Sequence, residues 1–140
     1  MLGMKRLILA LGLFGFVFVT AAPAQGDRCS SRHHTWIPKL VGQIYDDARV
    51  KLIAAGWKPL QTNDESSAET NLRFGNGPYF WKEKHYFEVT VCGADFAPGC
   101  EFVFVDKQKN ELHVETYGME DQVKHTHAIV KHSRILCDLD

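Results

Sequence analysis

The stretch Phe102-Val-Phe-Val-Asp-Lys-Gln-Lys-Asn-Glu-Leu-His-Val-Glu-Thr-Tyr117 decides the fold, because it predicts two β-strands joined by a polar turn. Residues 102–105 are apolar at every position, which is typical of a strand buried on both faces. Residues 111–117 alternate between two faces, and Leu112 and Val114 lie on the face expected to be buried. So short a connection between the strands favours an antiparallel hairpin.

Further strands are predicted on both sides of this hairpin. Residues 85–92 alternate in character, and Phe87, Val89 and Val91 are expected to face the core. A last strand is predicted at residues 126–136, and residues 58–62 can pair as a short strand. Because consecutive strands with short connections usually lie side by side, we predict an antiparallel meander of four or five strands.

A helix is predicted at residues 45–55. Its apolar side chains follow the three- and four-residue spacing of one helix face: Tyr45, Ala48, Leu52 and Ala55. Gly56 is expected to end the helix in the left-handed conformation, with Trp57 folding back on Leu52. Residues 63–71 are polar without apolar periodicity and are predicted to be a loop. The predicted fold class is therefore α+β, with one main helix packed on a four- to five-stranded antiparallel sheet.

The N-terminal residues 1–24 have the pattern of a secretory signal peptide. Lys5 and Arg6 precede an uncharged run at 7–19, and Ala22-Pro-Ala24 offers a cleavage site with small residues. The run is shorter than the roughly 20 residues of a membrane span, although an uncleaved anchor is the alternative. The short signal favours the periplasm of a Gram-negative bacterium over full secretion, with no membrane span after cleavage.

The remaining chain is predicted to comprise an N-terminal arm at residues 25–36 and a single α+β domain at residues 37–140. All four cysteines, Cys29, Cys92, Cys100 and Cys137, lie in this part of the chain. In an oxidising compartment an even number of cysteines indicates disulfides, and four cysteines allow three pairings.

We favour the local pair Cys92–Cys100, because a turn-rich loop between two strand-like runs separates these residues. The pair Cys29–Cys137 would then join the two ends of the mature chain. On the loop-entropy model the longer loop gives the larger stabilisation. A redox or catalytic cysteine is the alternative, but the chain has no C-x-x-C motif.

Residues 37–57, Ile-Pro-Lys-Leu-Val-Gly-Gln-Ile-Tyr-Asp-Asp-Ala-Arg-Val-Lys-Leu-Ile-Ala-Ala-Gly-Trp, resemble the opening of a PASTA domain. Those modules begin with a Val-Pro-x-Val-x-Gly strand and continue into a helix that carries an acidic-Ala pair and ends in Ala-Gly-Leu. Asp47-Ala48 and Ala55-Gly56-Trp57 match the last two features. The resemblance implies a strand and a helix packed on a small sheet, in a family that often contacts cell-wall material. The Ala-Gly-Trp-x-Pro sequence at residues 55–59 also resembles a sequence in small bacterial periplasmic proteins with paired cysteines.

Charge and motifs exclude several function classes. Sixteen Lys and Arg oppose seventeen Asp and Glu, giving a net charge of −1. A nucleic-acid-binding protein needs a basic excess, so nucleic acid is not expected as a partner of this chain. The chain has no G-x-S-x-G, P-loop or dinucleotide motif, and we predict no enzymatic activity and no cofactor.

Aromatic residues form the candidate partner-binding site. Tyr79, Trp81, Tyr86 and Phe96 lie in the aromatic segment 79–87 and in the loop between Cys92 and Cys100. Exposed aromatic side chains offer large, rigid contact area for a protein or a sugar. The alternative is that the polar loop or the N-terminal arm covers them.

Histidines supply an alternative, metal-binding hypothesis. If the last two strands form a hairpin centred near Asp121, Glu115 and His127 are expected to be close. His113, Glu115, His125 and His127 could then bind zinc, since imidazole and carboxylate are zinc ligands. A solvated polar strand face is the simpler interpretation.

The sequence therefore predicts an exported, non-enzymatic binding protein of the bacterial envelope. Its expected partner is an envelope protein or cell-wall glycan, and a loop constrained by a disulfide also suits an inhibitor of a secreted hydrolase. A periplasmic metal-binding protein is the alternative function, and a hydrolase with an unfamiliar site is a third.

Overall fold

A computed structural model describes residues 34–94 and 97–136 of the 140-residue chain. The helices are α1 (Tyr45–Ala55), α2 (Glu65–Asn71) and a π-helical turn (Tyr79–Glu83). The strands are β1 (Lys58–Pro59), β2 (Val89–Cys92), β3 (Cys100–Val105), β4 (Glu111–Tyr117) and β5 (Ile129–Leu136). The predicted signal peptide and the predicted Cys29–Cys137 pair lie outside the described residues.

The five strands form one antiparallel sheet with β3 at its centre. β4 pairs with one side of β3, and β5 follows β4. β1 and β2 pair with the other side of β3, at Val105 and Phe104 and at Phe102 to Cys100 respectively. This arrangement confirms the predicted hairpin and the α+β fold class, because β3 and β4 begin and end close to the expected residues.

Helix α1 packs against the inner face of the sheet. Tyr45, Ala48 and Leu52 are buried, and the Tyr45 ring stacks on Phe102 with 3.6 Å between ring centroids. The helix ends as predicted, because Gly56 has a φ of 100° and the Trp57 amide donates to the Leu52 carbonyl at 3.1 Å. Glycine reaches this left-handed conformation without steric cost.

The prediction of a loop at residues 63–71 is wrong, and α1 is accompanied by a second helix. In α2 the Asp64 carboxylate accepts from the Ser67 amide at 2.8 Å, and the Ser67 hydroxyl accepts from the Asp64 amide at 2.9 Å. This reciprocal capping satisfies amide groups that a helix start leaves without partners. Ala68 is buried, so even this polar helix contributes one side chain to the core.

The predicted alternation of residues 85–92 is also wrong. β2 begins only at Val89, and its register with β3 shifts between Val89 and Val91. Val89 is buried as expected, but Phe87 is 41% exposed and Val91 is 45% exposed, whereas Glu88 is 1% exposed. A β-bulge inserts an extra residue between Val89 and Val91 and so changes the face on which Val91 lies, whereas Phe87 and Glu88 precede the strand.

The disulfide between Cys92 and Cys100 confirms the favoured local pairing. Its sulfur atoms are 2.02 Å apart, and the two residues pair directly across β2 and β3. The bond therefore joins these strands where the loop leaves them. Among the described residues, we find no helix with the length and apolar character needed to cross a membrane.

Candidate functional site

The aromatic segment 79–87 is attached to the core by Phe80. This side chain is fully buried, with its ring centroid 5.0 Å from that of Phe102 and 5.5 Å from that of Tyr45, both in edge-to-face geometry. The Lys84 amide donates to the Tyr79 carbonyl at 3.0 Å, which closes the π-helical turn. The segment is therefore fixed by its own turn and by core packing.

Two aromatic side chains of the segment lie on its outer side. Trp81 is half-buried and packs edge-to-face on Phe87, with 4.9 Å between ring centroids. Phe87 itself is 41% exposed. The two rings pack on each other, and part of their apolar surface remains exposed.

A groove of about 570 Å³ lies between α2 and the π-helical turn. Its apolar lining comes from both elements, and its charged side chains are of both signs. The lining residues are Glu65, Ala68, Glu69, Arg73, Pro78, Trp81 and Lys82. Pockets for small ligands have volumes of roughly 300–1,000 Å³, so the groove has the size of a ligand site.

The predicted partner-binding residues are separated by this arrangement. All three tyrosine and tryptophan side chains of the segment are half-buried and pack against the hydrophobic core, but only Trp81 also lines the groove. Lys84 lies 5.3 Å from the centroid of the Tyr86 ring, and Arg49 lies 4.1 Å from it. Phe96 lies outside the described residues, although its loop is closed by the observed disulfide.

A buried carboxylate network holds the aromatic segment against α1. One oxygen of Glu88 accepts from the Tyr45 hydroxyl at 3.0 Å and from Arg49 Nε at 2.5 Å. The pKa of Tyr45 lies well above its ordinary value, mainly because the side chain is buried and secondly because the Glu88 carboxylate is close. The hydroxyl therefore keeps its proton. Sequence reasoning missed Glu88, although Arg49 lies four residues after Tyr45 and hence on the same helix face.

A second ion pair lies beside this network. Lys84 Nζ is 2.6 Å from a carboxylate oxygen of Asp46, and this hydrogen bond raises the pKa of the lysine. The other oxygens, Asp46 Oδ1 and Glu88 Oε2, are buried and have no hydrogen-bond partner within the part of the chain that the structure describes. Together the two pairs attach residues 84–88 to the first turns of α1.

The outer face of the sheet carries a different charged cluster. His113 Nδ1 lies 2.7 Å from Glu101, and its Nε2 lies 3.3 Å from Glu111. Arg134 lies 3.2 Å from the same Glu101 oxygen. Partial burial opposes ionisation of Glu101, but hydrogen bonds from His113 and Arg134 outweigh it and lower the pKa of this carboxyl.

The structure does not bring the predicted metal ligands together. Glu115 pairs across the hairpin with His132, so the predicted proximity of Glu115 and His127 is wrong. His127 instead lies 3.3 Å from Glu120. The reason is that β5 begins at Ile129, after a turn that contains His125 at a φ of 55°.

Within residues 34–94 and 97–136, no three His, Cys, Asp or Glu side chains are grouped as metal ligands. The candidate functional site is therefore the groove beside Trp81. Sequence reasoning identified the tryptophan but missed the groove, because the other wall is the unpredicted helix α2. Comparisons of the chain with known protein families, with curated proteins and with solved structures found no match.

Proposed function

We propose that this protein is an exported, non-enzymatic binding protein of the bacterial envelope, which contacts an envelope protein or cell-wall glycan through Trp81 and Phe87. The observation that carries the proposal is the groove beside Trp81, which combines an aromatic wall with charged side chains of both signs. Binding sites generally pair apolar surface with a few polar groups that fix orientation.

The rigidity of the aromatic segment supports this proposal. Phe80 lies in the core, and the two ion pairs to α1 restrain residues 84–88. A surface that is ordered before binding loses less conformational entropy when a partner docks. Trp81 and Phe87 therefore suit a binding site better than the same residues on a mobile loop would.

The disulfide supports both export and a second contact region. Disulfides form mainly in oxidising compartments such as the periplasm, and Cys92–Cys100 closes a short loop that includes Phe96 in its sequence. A loop constrained by a disulfide loses less conformational entropy on docking, which also suits an inhibitor of a hydrolase. Inhibition of an envelope hydrolase is thus one form that the proposed binding can take.

A crosslinking pull-down from whole envelopes tests the proposal. We expect the wild-type protein to retain a partner and the double variant Trp81→Ala/Phe87→Ala to lose it. Trp36→Ala is the matched control, since Trp36 is 70% exposed and is not among the groove-lining residues. Far-UV circular dichroism checks that each variant is folded. Equal retention by a folded double variant would contradict the site.

A further inference from the structure

We infer that the groove between α2 and the π-helical turn binds a neutral oligosaccharide of acetamido sugars. This inference rests on the proposed function and names the ligand class for the same site.

The shape of the groove favours a small or chain-like ligand over a protein surface. Its volume of about 570 Å³ lies between two short elements, and Trp81 is one of its seven lining residues. A stable protein interface covers roughly 800 Å² and about 20–30 residues on each partner, which is more than this groove provides by itself. A sugar chain can place one or two rings here and continue beyond the ends.

The charges around the groove balance. Two carboxylates, Glu65 and Glu69, lie on α2, and two cations, Arg73 and Lys82, complete the charged lining. An anionic ligand would meet the carboxylates, and a cationic ligand would meet Arg73 and Lys82, at a cost in both cases. The lining therefore matches a ligand without net charge that offers many hydrogen-bond donors and acceptors.

The charged side chains of the groove are also available for a ligand. Within the described part of the chain, none of these four residues forms an ion pair, and the Arg73 guanidinium instead lies 4.5 Å from the centroid of the Phe74 ring. Carboxylates accept hydrogen bonds from sugar hydroxyls, and guanidinium groups donate hydrogen bonds to the oxygen atoms of those hydroxyls.

Apolar groups complete the match to an acetamido sugar. Trp81 offers an aromatic surface for the C–H face of a sugar ring, while the half-buried Pro78 can contact the methyl of an N-acetyl group. Tryptophan is among the residues that most often dominate binding energy at such contacts.

Titration of the full mature protein with the N-acetylglucosamine hexamer tests the inference. We expect the indole N–H resonance of Trp81 to shift, while that of Trp57 stays in place because this indole donates to the Trp36 carbonyl at 3.1 Å. The fully deacetylated hexamer, which is cationic, and a galacturonic acid hexamer, which is anionic, should each bind at least about tenfold more weakly.

Variants give the second arm of the experiment. Trp81→Ala should weaken binding by at least about tenfold, and Trp36→Ala should leave it unchanged. Because Trp81 also packs against the core, Arg73→Ala at an exposed position provides a variant that preserves the fold, and it should weaken binding as well. Equal affinity of wild type and folded Arg73→Ala and Trp81→Ala proteins would overturn the inference.

The pull-down separates failure of the ligand class from failure of the proposed function. If the N-acetylglucosamine hexamer causes no shift of the Trp81 resonance up to about 1 mM, the saccharide inference is wrong. Retention of an envelope protein that depends on Trp81 would then still support the proposed binding function. If neither the shift of the Trp81 resonance nor the Trp81-dependent retention is observed, both proposals are wrong.

Discussion

Two carboxylates on opposite faces of the sheet show how burial changes the role of the same chemistry. On the inner side, Glu88 is 1% exposed and contacts Arg49 and Tyr45. On the outer face, the Glu101 side chain is 22% exposed and contacts His113 and Arg134. Each carboxylate thus has one arginine and one further partner, but only Glu88 is removed from water.

The difference predicts unequal consequences when a partner is lost. Water can solvate Glu101 after its partners are removed, whereas Glu88 would remain as a buried charge without compensation. The inner cluster therefore determines whether the aromatic segment stays attached to α1, and the outer cluster modulates stability with pH.

Replacement of the two arginines tests the contrast most directly. Arg49→Met should lower the free energy of unfolding by about 3–5 kcal/mol, since it leaves Glu88 buried and unpaired. Arg134→Met is the matched change on the outer face and should cost about 1 kcal/mol or less. Urea unfolding followed by fluorescence measures both. Similar losses for the two variants would show that burial does not separate the clusters.

The disulfide joins the strand that follows Glu88 to the strand that carries Glu101. Cys92→Ala/Cys100→Ala should lower the free energy of unfolding by about 2.5 kcal/mol through loss of loop constraint. The aromatic segment should stay in place, because its ion pairs to α1 lie outside the closed loop. Near-UV circular dichroism of the folded variant tests this, and a lost aromatic signal would contradict it.

Tyr45 separates hydrogen bonding from charge within the inner cluster. Tyr45→Phe keeps the ring that stacks on Phe102 but removes the hydroxyl that donates to Glu88. The expected loss is about 1–2 kcal/mol, below that of Arg49→Met, because the charge of Glu88 remains compensated. Thermal and urea unfolding give the comparison. A loss as large as that of Arg49→Met would assign the main role to the hydroxyl.

The outer cluster should respond to acid. Because the folded-state pKa of Glu101 is lowered, its ionised form contributes stability at neutral pH, and this contribution is lost as pH falls below the ordinary value of 4.5. Glu101→Gln should therefore reduce the slope of stability against pH in the acidic range. Unfolding at a series of pH values measures this effect, which is the smallest of the four. An unchanged slope would assign the acid response to other groups, such as Asp106, whose pKa is also lowered.

The parts of the fold that depend on local periodicity could be predicted from the sequence. The β3–β4 hairpin follows from a wholly apolar run, a polar turn and an alternating run, and α1 follows from its spaced apolar stripe and its terminal Gly56. In these elements the sequence pattern and the tertiary contacts agree. The Cys92–Cys100 pair follows equally from a short, turn-rich separation.

The rest depends on contacts that no local pattern reveals. Helix α2 is polar and has no amphipathic period that would predict it. It is stabilised by its Asp64 cap and by the burial of Ala68. The burial of Glu88 depends on Tyr45 and Arg49, about forty residues earlier in the sequence. In the site, Trp81 could be singled out by residue type, but the groove needs α2 as its second wall.

The attachment of β1 and β2 to the same side of β3 has a consequence for how this protein can evolve. The Leu60 amide donates to the Val103 carbonyl at 3.0 Å, and the Val103 amide donates to the Glu88 carbonyl at 2.9 Å. The chain therefore leaves the sheet after Leu60 and returns to it at Glu88, and both of these residues bond to Val103. The intervening residues 61–87 contain α2, the π-helical turn and the groove. Selection could change exposed residues of this stretch without altering sheet pairing, provided that its buried anchors Asn63, Asn76 and Phe80 are kept. Specificity and folding can thus diverge separately within one small chain.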